Sequence, residues 1–218
     1  MVASPQFEQK FIGVSVNFFY TSRMYLTKQI VKKKIYPNEP EHLTNCRERA
    51  AVAFVISGLE NPSLTLCVKA QYLRTHAGEV SLPGGKLELC DQSANCAALR
   101  ELSEETGLLL SGNHALGFLN PIQSLHELSV MPCVFWSDEA LEGYPCEEEI
   151  ISVFSIPLFE FIEQQPTFDR SRHRASKCSM PRWRLADEEI WGLTALIIED
   201  FFLMVFNHRF SLHPLSMP

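Results

Sequence analysis

Gly84-Gly85-Lys86-Leu87-Glu88-Leu89-Cys90-Asp91-Gln92-Ser93-Ala94-Asn95-Cys96-Ala97-Ala98-Leu99-Arg100-Glu101-Leu102-Ser103-Glu104-Glu105-Thr106-Gly107-Leu108 is a glycine turn followed by an acidic helix. At 100° per residue, Arg100, Glu101, Glu104 and Glu105 fall within an arc of roughly 140°, and Ala98, Leu99, Leu102 and Thr106 lie opposite, facing a core. Like charges four residues apart, as at Glu101 and Glu105, cost a helix about 0.2–0.5 kcal/mol per pair. A chain that accepts this cost commonly places a cation there. Converging carboxylate oxygens suit Mg²⁺ or Mn²⁺ better than zinc, which prefers nitrogen and sulfur.

Working outward, 218 residues fit one domain with an extra arm and can bury a full core. A hydrophobic fraction of 46% with 15 Phe indicates a packed globule rather than a disordered chain. The net charge of −7 gives no overall attraction to nucleic acid or to an anionic membrane. Seven cysteines, an odd number without a Cys-x-x-Cys pair, argue against a disulfide framework and a zinc site; they favour a reducing, cytoplasmic compartment. No apolar run reaches the roughly 18 residues of a membrane span, and the N-terminus lacks a secretory pattern. Few acids precede Glu39, which leaves an organelle-targeting segment open.

Residues 1–45 read as an arm, with a helix expected over 17–35 that ends in the basic run Lys32 to Lys34. Cations at a helix C-terminus complement its dipole. The apolar run Ala50 to Ile56 is a strand buried on both faces, and Leu64 to Ala70 is a second strand. Glu79 to Leu82 is a short extended piece entering the glycines. Asp91 or Ser93 is the expected N-cap of the acidic helix, and Gly107 its C-cap. Further strands are expected at 116–119, 129–135 and after Glu147, then a short helix over 157–164. Residues 169–184 read as an irregular basic segment, and 187–206 as an apolar terminal helix before a tail at 208–218. Short strands around one central helix, closed by a terminal helix, predict an α/β (α+β) fold with a mixed sheet between helical layers.

Arg100-Glu101-Leu102-Ser103-Glu104-Glu105-Thr106-Gly107-Leu108 matches the core of the Nudix box at every fixed position, and the chain resembles the Nudix hydrolases. The usual box runs Gly, five residues, an acid, then seven residues before the Arg. Here Asp91 follows Gly85 after five residues but stands nine positions before Arg100 rather than eight, so Gln92 takes the place the usual spacing gives the acid. That extra residue resembles the coenzyme A diphosphatase branch of the family. The entry segment His76 to Gly85 is similar to that branch, as are Arg49 to Val52, the Glu149–Leu158 segment and Ile190 to Ala195. The resemblance covers about residues 47–205, so 46–207 is expected to be the hydrolase domain. Where the branch has an arginine and an aromatic, this chain has Lys69 and Leu82. Lysine keeps the charge but lacks the bidentate fork for phosphate.

The resemblance implies an α/β/α sandwich and hydrolysis of a phosphoanhydride in a nucleoside diphosphate derivative. The substrate it implies is coenzyme A or a derivative, with NAD(H), a nucleotide sugar or a nucleoside triphosphate as alternatives. A catalytically silent ligand sensor is a third reading. Such cleavage needs neutralised phosphate oxygens and an activated water. Mg²⁺ or Mn²⁺ held by Glu101, Glu104, Glu105 and the Gly85 carbonyl would serve, with Arg100 orienting the glutamates. Glu101 or Glu149 is the candidate base. Arg49, Lys69 and Arg74 are the candidate phosphate contacts, with the 170–184 cluster beside them. The implied partner is a small nucleotide rather than nucleic acid or membrane, and a homodimer is left open.

Overall fold

The computed structural model describes residues 26–44, 46–124, 127–145, 148–169 and 180–210. Its centre is β1 (Glu48–Ser57), which pairs in parallel along its whole length with β7 (Leu128–Ser137). Through Ile56 and Ser57, β1 also meets antiparallel β2 (Ser63–Lys69), which pairs in turn with β3 (Val80–Ser81) and β8 (Ile150–Pro157). The near end of β1 takes a different partner, β4 (Gly84–Lys86), with Ala51 opposite Gly85. β5 (Ala115–Phe118) and β6 (Ile122–Gln123) complete an eight-stranded mixed sheet on the far side of β7. The predicted mixed sheet is therefore present. β4 is an addition, because Gly-Gly-Lys carries none of the β-branched or aromatic residues that mark a strand.

Alternation along β1 separates two cores. Phe54 and Ile56 face α4 (Gly192–Phe206), the helix that follows the short α3 (Glu160–Glu163), and Phe54 stacks on Phe201 with ring centroids 4.7 Å apart. Ala51, Ala53 and Val55 face α2 (Ala94–Thr106), which answers with Ala94, Ala97, Ala98 and Leu102. Packing distance depends on the side chains at the contact; alanine on both partners lets α2 lie close over β1 and β4. Ser93 accepts from Cys96 N–H at 3.3 Å and is the N-cap, and Gly107 closes the helix in the left-handed region, as the sequence indicates.

Three segments depart from expectation. Within the predicted 17–35 helix, the described part is α1 (Lys28–Lys34); residues 1–25 lie outside the described residues. Leu26, Val31 and Ile35 are buried in the α4-side core, and Tyr36 bridges Phe118, so this stretch is packed into the sandwich rather than extended from it. The basic segment, read as irregular, contains β10 (Met180–Leu185), which pairs with β9 (Thr167–Asp169) and β11 (Glu188–Ile190); residues 170–179 lie outside the described residues. The terminal helix begins at Gly192, not Asp187. Ala186 and Asp187 both have positive φ, 50° and 62°, and form a two-residue hairpin turn of the kind Asn-Gly usually announces. Among the described residues, no helix is long and apolar enough to cross a membrane.

Candidate active site

The acidic face of α2 lies over the glycine turn. Gly84 has φ of 156°, and a Cβ there would stand 2.4 Å from the Ala51 carbonyl oxygen. A side chain is excluded by both backbone and space. At Gly85 a Cβ would stand 2.3 Å from Glu101 Oε1, so the missing side chain is what admits the carboxylate.

Arg100 organises the outer half of the site. Its Nη2 donates to Asp91 Oδ2 at 3.0 Å and its Nε to Asp91 Oδ1 at 3.4 Å. Its Nη1 donates to Glu101 Oε1 at 2.9 Å and to Glu104 Oε2 at 3.0 Å, and Nη2 also reaches the Lys86 carbonyl at 3.2 Å. One guanidinium thus ties the approach loop, the glycine strand and two helix carboxylates, a use of its planar fork that lysine lacks. The hydrogen bond from Arg100 holds the Asp91 carboxyl below its ordinary value, and the Asp91 bond in turn raises Arg100.

Glu105 occupies the inner half with only 5% of its side chain exposed. Lys69 Nζ donates to Oε1 at 3.1 Å and Gly84 N–H to Oε2 at 2.9 Å. Burial raises the Glu105 carboxyl above its ordinary value although Lys69 and the Gly84 amide oppose the rise; the nearby Glu101 charge adds to it. Burial likewise raises Glu101. Arg100 pulls the other way, while Glu104 and Glu149 push in the same direction as burial. A buried and a partly buried carboxyl in mutual repulsion lose stability on ionising unless further positive charge reaches them.

The fit to a divalent cation follows from this chemistry. The donors are oxygens, the carboxylates are charge-strained, and the Gly85 position is open to Glu101. These features suit Mg²⁺ or Mn²⁺. Among the described residues, no three His, Cys, Asp or Glu side chains converge as a ready metal cluster. Their positions show why. Glu104 leans outward to Arg100 with 59% of its side chain exposed, whereas Glu105 turns inward to Lys69.

The remaining expected residues divide. Glu149 lies near enough to Glu101 to oppose its ionisation, and its carbonyl accepts from Ala70 N–H at 2.8 Å. Lys69, expected on phosphate, is bonded to Glu105. Arg49 is exposed on β1, its carbonyl accepting from Leu87 N–H beside the glycine strand, and Arg74 is exposed in the loop from Ala70 to Glu79. His76 is an exposed loop residue bonded to Glu79 at 2.8 Å. From the basic cluster, Arg182, on β10 of the small sheet, lies over the Trp191 ring at 5.6 Å and pairs with Glu189. The sequence reading missed the Lys69–Glu105 contact, which spans 36 residues. The signal available was the position of Lys69, where the similar branch has an arginine.

Comparison with known proteins shows the family. The family model described as NUDIX domain matches residues 47–177. The uncharacterised Nudix hydrolase NudL of Yersinia pestis is 38% identical over 152 residues, covering 69% of this chain and 76% of that protein. NudL of Yersinia pseudotuberculosis shows the same figures. A MutT/nudix family protein of Enterococcus faecalis superposes with a TM-score of 0.52 at 12% identity, covering 77% of this chain and 64% of the other, a likeness of fold. The chain belongs to the Nudix family and is a Nudix hydrolase, a pyrophosphohydrolase.

Proposed function

We propose that the chain hydrolyses the diphosphate of coenzyme A or its derivatives, releasing 3′,5′-ADP and (acyl-)4′-phosphopantetheine. The observation that carries this reading is the Asp91–Arg100 pair, bonded across the nine-residue spacing that resembles the coenzyme A branch. The similar entry segment His76 to Gly85 supports it.

Glu101, Glu104, Glu105 and the Gly85 carbonyl would hold Mg²⁺ or Mn²⁺, which supplies positive charge to the phosphate oxygens as the anhydride breaks. The chain's own groups do the rest. Arg100 holds Glu101 and Glu104 in place through one nitrogen. Glu149, exposed beside Glu101, takes the proton of the attacking water; Glu101, partly buried and held by Arg100, is the other candidate. Water adds at phosphorus, the bridging P–O bond breaks, and the leaving phosphate departs with the bridging oxygen. Arg49 and Arg74 are exposed cations beside the glycine strand and in the loop after β2, free to meet phosphate. Lys69, which donates to Glu105 at 3.1 Å, serves that carboxylate in this reading rather than phosphate.

A panel of coenzyme A, NADH, a nucleotide sugar and a nucleoside triphosphate, each with Mg²⁺ and with products separated by chromatography, tests the reading. Release of 3′,5′-ADP at the highest rate is expected. Faster turnover of another member would move the assignment to that substrate.

A further inference from the structure

We propose that Tyr72 is a positioning residue for this reaction: its hydroxyl, bonded to the Glu148 carbonyl, fixes the turn that presents Glu149 to the helix carboxylates. The proposal rests on the reading of Glu149 as the base.

The need for such a tie is visible in the sheet. β2 and β8 pair regularly from Ser63–Pro157 to Val68–Ser152, and the register then shifts between Val68 and Lys69. Glu148 and Glu149 stand just beyond that irregular end, before Ile150. Regular ladder bonds therefore stop where Glu149 begins. The loop leaving β2 supplies substitutes on two consecutive carbonyls. Ala70 N–H donates to the Glu149 carbonyl at 2.8 Å, and the Tyr72 hydroxyl donates to the Glu148 carbonyl.

That loop has firm roots. Lys69 N–H donates to the Glu79 carbonyl at 3.0 Å and Gly78 N–H to the Lys69 carbonyl at 3.1 Å, closing its neck, while the Lys69 side chain is bonded to Glu105. A path of hydrogen bonds thus runs from the helix carboxylate through β2 and its loop to the turn carrying Glu149. Tyr72 is 68% exposed, at the surface beside the turn. The hydroxyl is directed at the Glu148 carbonyl, and a tyrosine keeps its polar tip where a partner is in reach.

Steady-state kinetics with coenzyme A and Mg²⁺ test this in four proteins: wild type, Tyr72→Phe, Glu149→Gln and the double variant. Removing one hydrogen bond at an exposed turn corresponds to about a three- to tenfold change. Tyr72→Phe is expected to lower kcat by that factor with KM unchanged, and to cause no further loss in the Glu149→Gln background, since coupled residues are not additive. An equal fractional loss in both backgrounds, a rise in KM at unchanged kcat, or wild-type kinetics for Tyr72→Phe would each overturn the proposal. Wild-type kcat for Glu149→Gln would instead remove Glu149 as the base, and the role of Tyr72 with it.

Discussion

Asp91 grips Arg100 at two points, through Oδ1 to Nε and Oδ2 to Nη2, across nine residues of chain. The extra residue before the helix is absorbed in the loop and turn at Glu88–Gln92, where Glu88 N–H donates to Asp91 Oδ2 at 2.9 Å. Asp91, with 4% of its side chain exposed, takes the guanidinium, and Gln92 stays in solvent. Asp91→Asn is expected to lower unfolding free energy by about 1–3 kcal/mol, the scale for hydrogen bonds to charged groups. Gln92→Ala should stay within about 0.5 kcal/mol of wild type. Urea unfolding of the two variants checks the pair.

Gly85→Ala places a methyl 2.3 Å from Glu101 Oε1, against a carboxylate already held by Arg100. Glu101 must turn away, so kcat should fall by about tenfold or more, the scale of a misplaced metal-site group. Gly84→Ala meets the Ala51 backbone at φ 156° and should instead reduce stability and yield of folded protein. Circular dichroism melts beside rate measurements separate the two.

The pH dependence of stability carries two opposite signs. Glu101 is raised above its ordinary 4.5, so its contribution favours the fold below that value and is lost as pH rises through its folded pKa. Asp91 is lowered beneath 3.8; its contribution is present above that value and is lost as pH falls through the folded pKa. In chelator, wild type should gain stability relative to Glu101→Gln as pH falls from 7 toward 4.5. Its advantage over Asp91→Asn should disappear at lower pH. Thermal melts across a pH series read both trends.

Glu105→Gln keeps a side chain of the same shape between Lys69 and Gly84 but removes its charge. Turnover should fall by on the order of a hundredfold or more, the scale on which one electrostatic stabiliser of a transition state acts. The fold should persist in circular dichroism. An unchanged rate would remove Glu105 from the site.

Much of this arrangement was legible because it is local. Arg100 to Thr106 lie on one helix, so 3.6-residue periodicity places its carboxylates without tertiary information. The continuous apolar run Ala50 to Ile56 likewise marked a strand buried on both faces. What stayed hidden depends on contacts distant in sequence or on turns with unusual residues. β4 exists because Gly84 and Gly85 can approach β1 closely, which no strand propensity records. β11 was read as helix because Ala186 and Asp187 turn at positive φ without a glycine. The bond from Lys69 to Glu105 joins residues 36 positions apart, so only the fold reveals it.

The carboxylates of α2 are expected to hold a divalent cation. Electron paramagnetic resonance of free Mn²⁺, titrated with the full chain without substrate, measures that directly. Loss of the free-ion signal with wild type, weakened about ten- to a hundredfold in affinity by Glu101→Gln or Glu105→Gln, is the result predicted. A free Mn²⁺ signal undiminished by wild type, or binding that both variants leave intact, would contradict it.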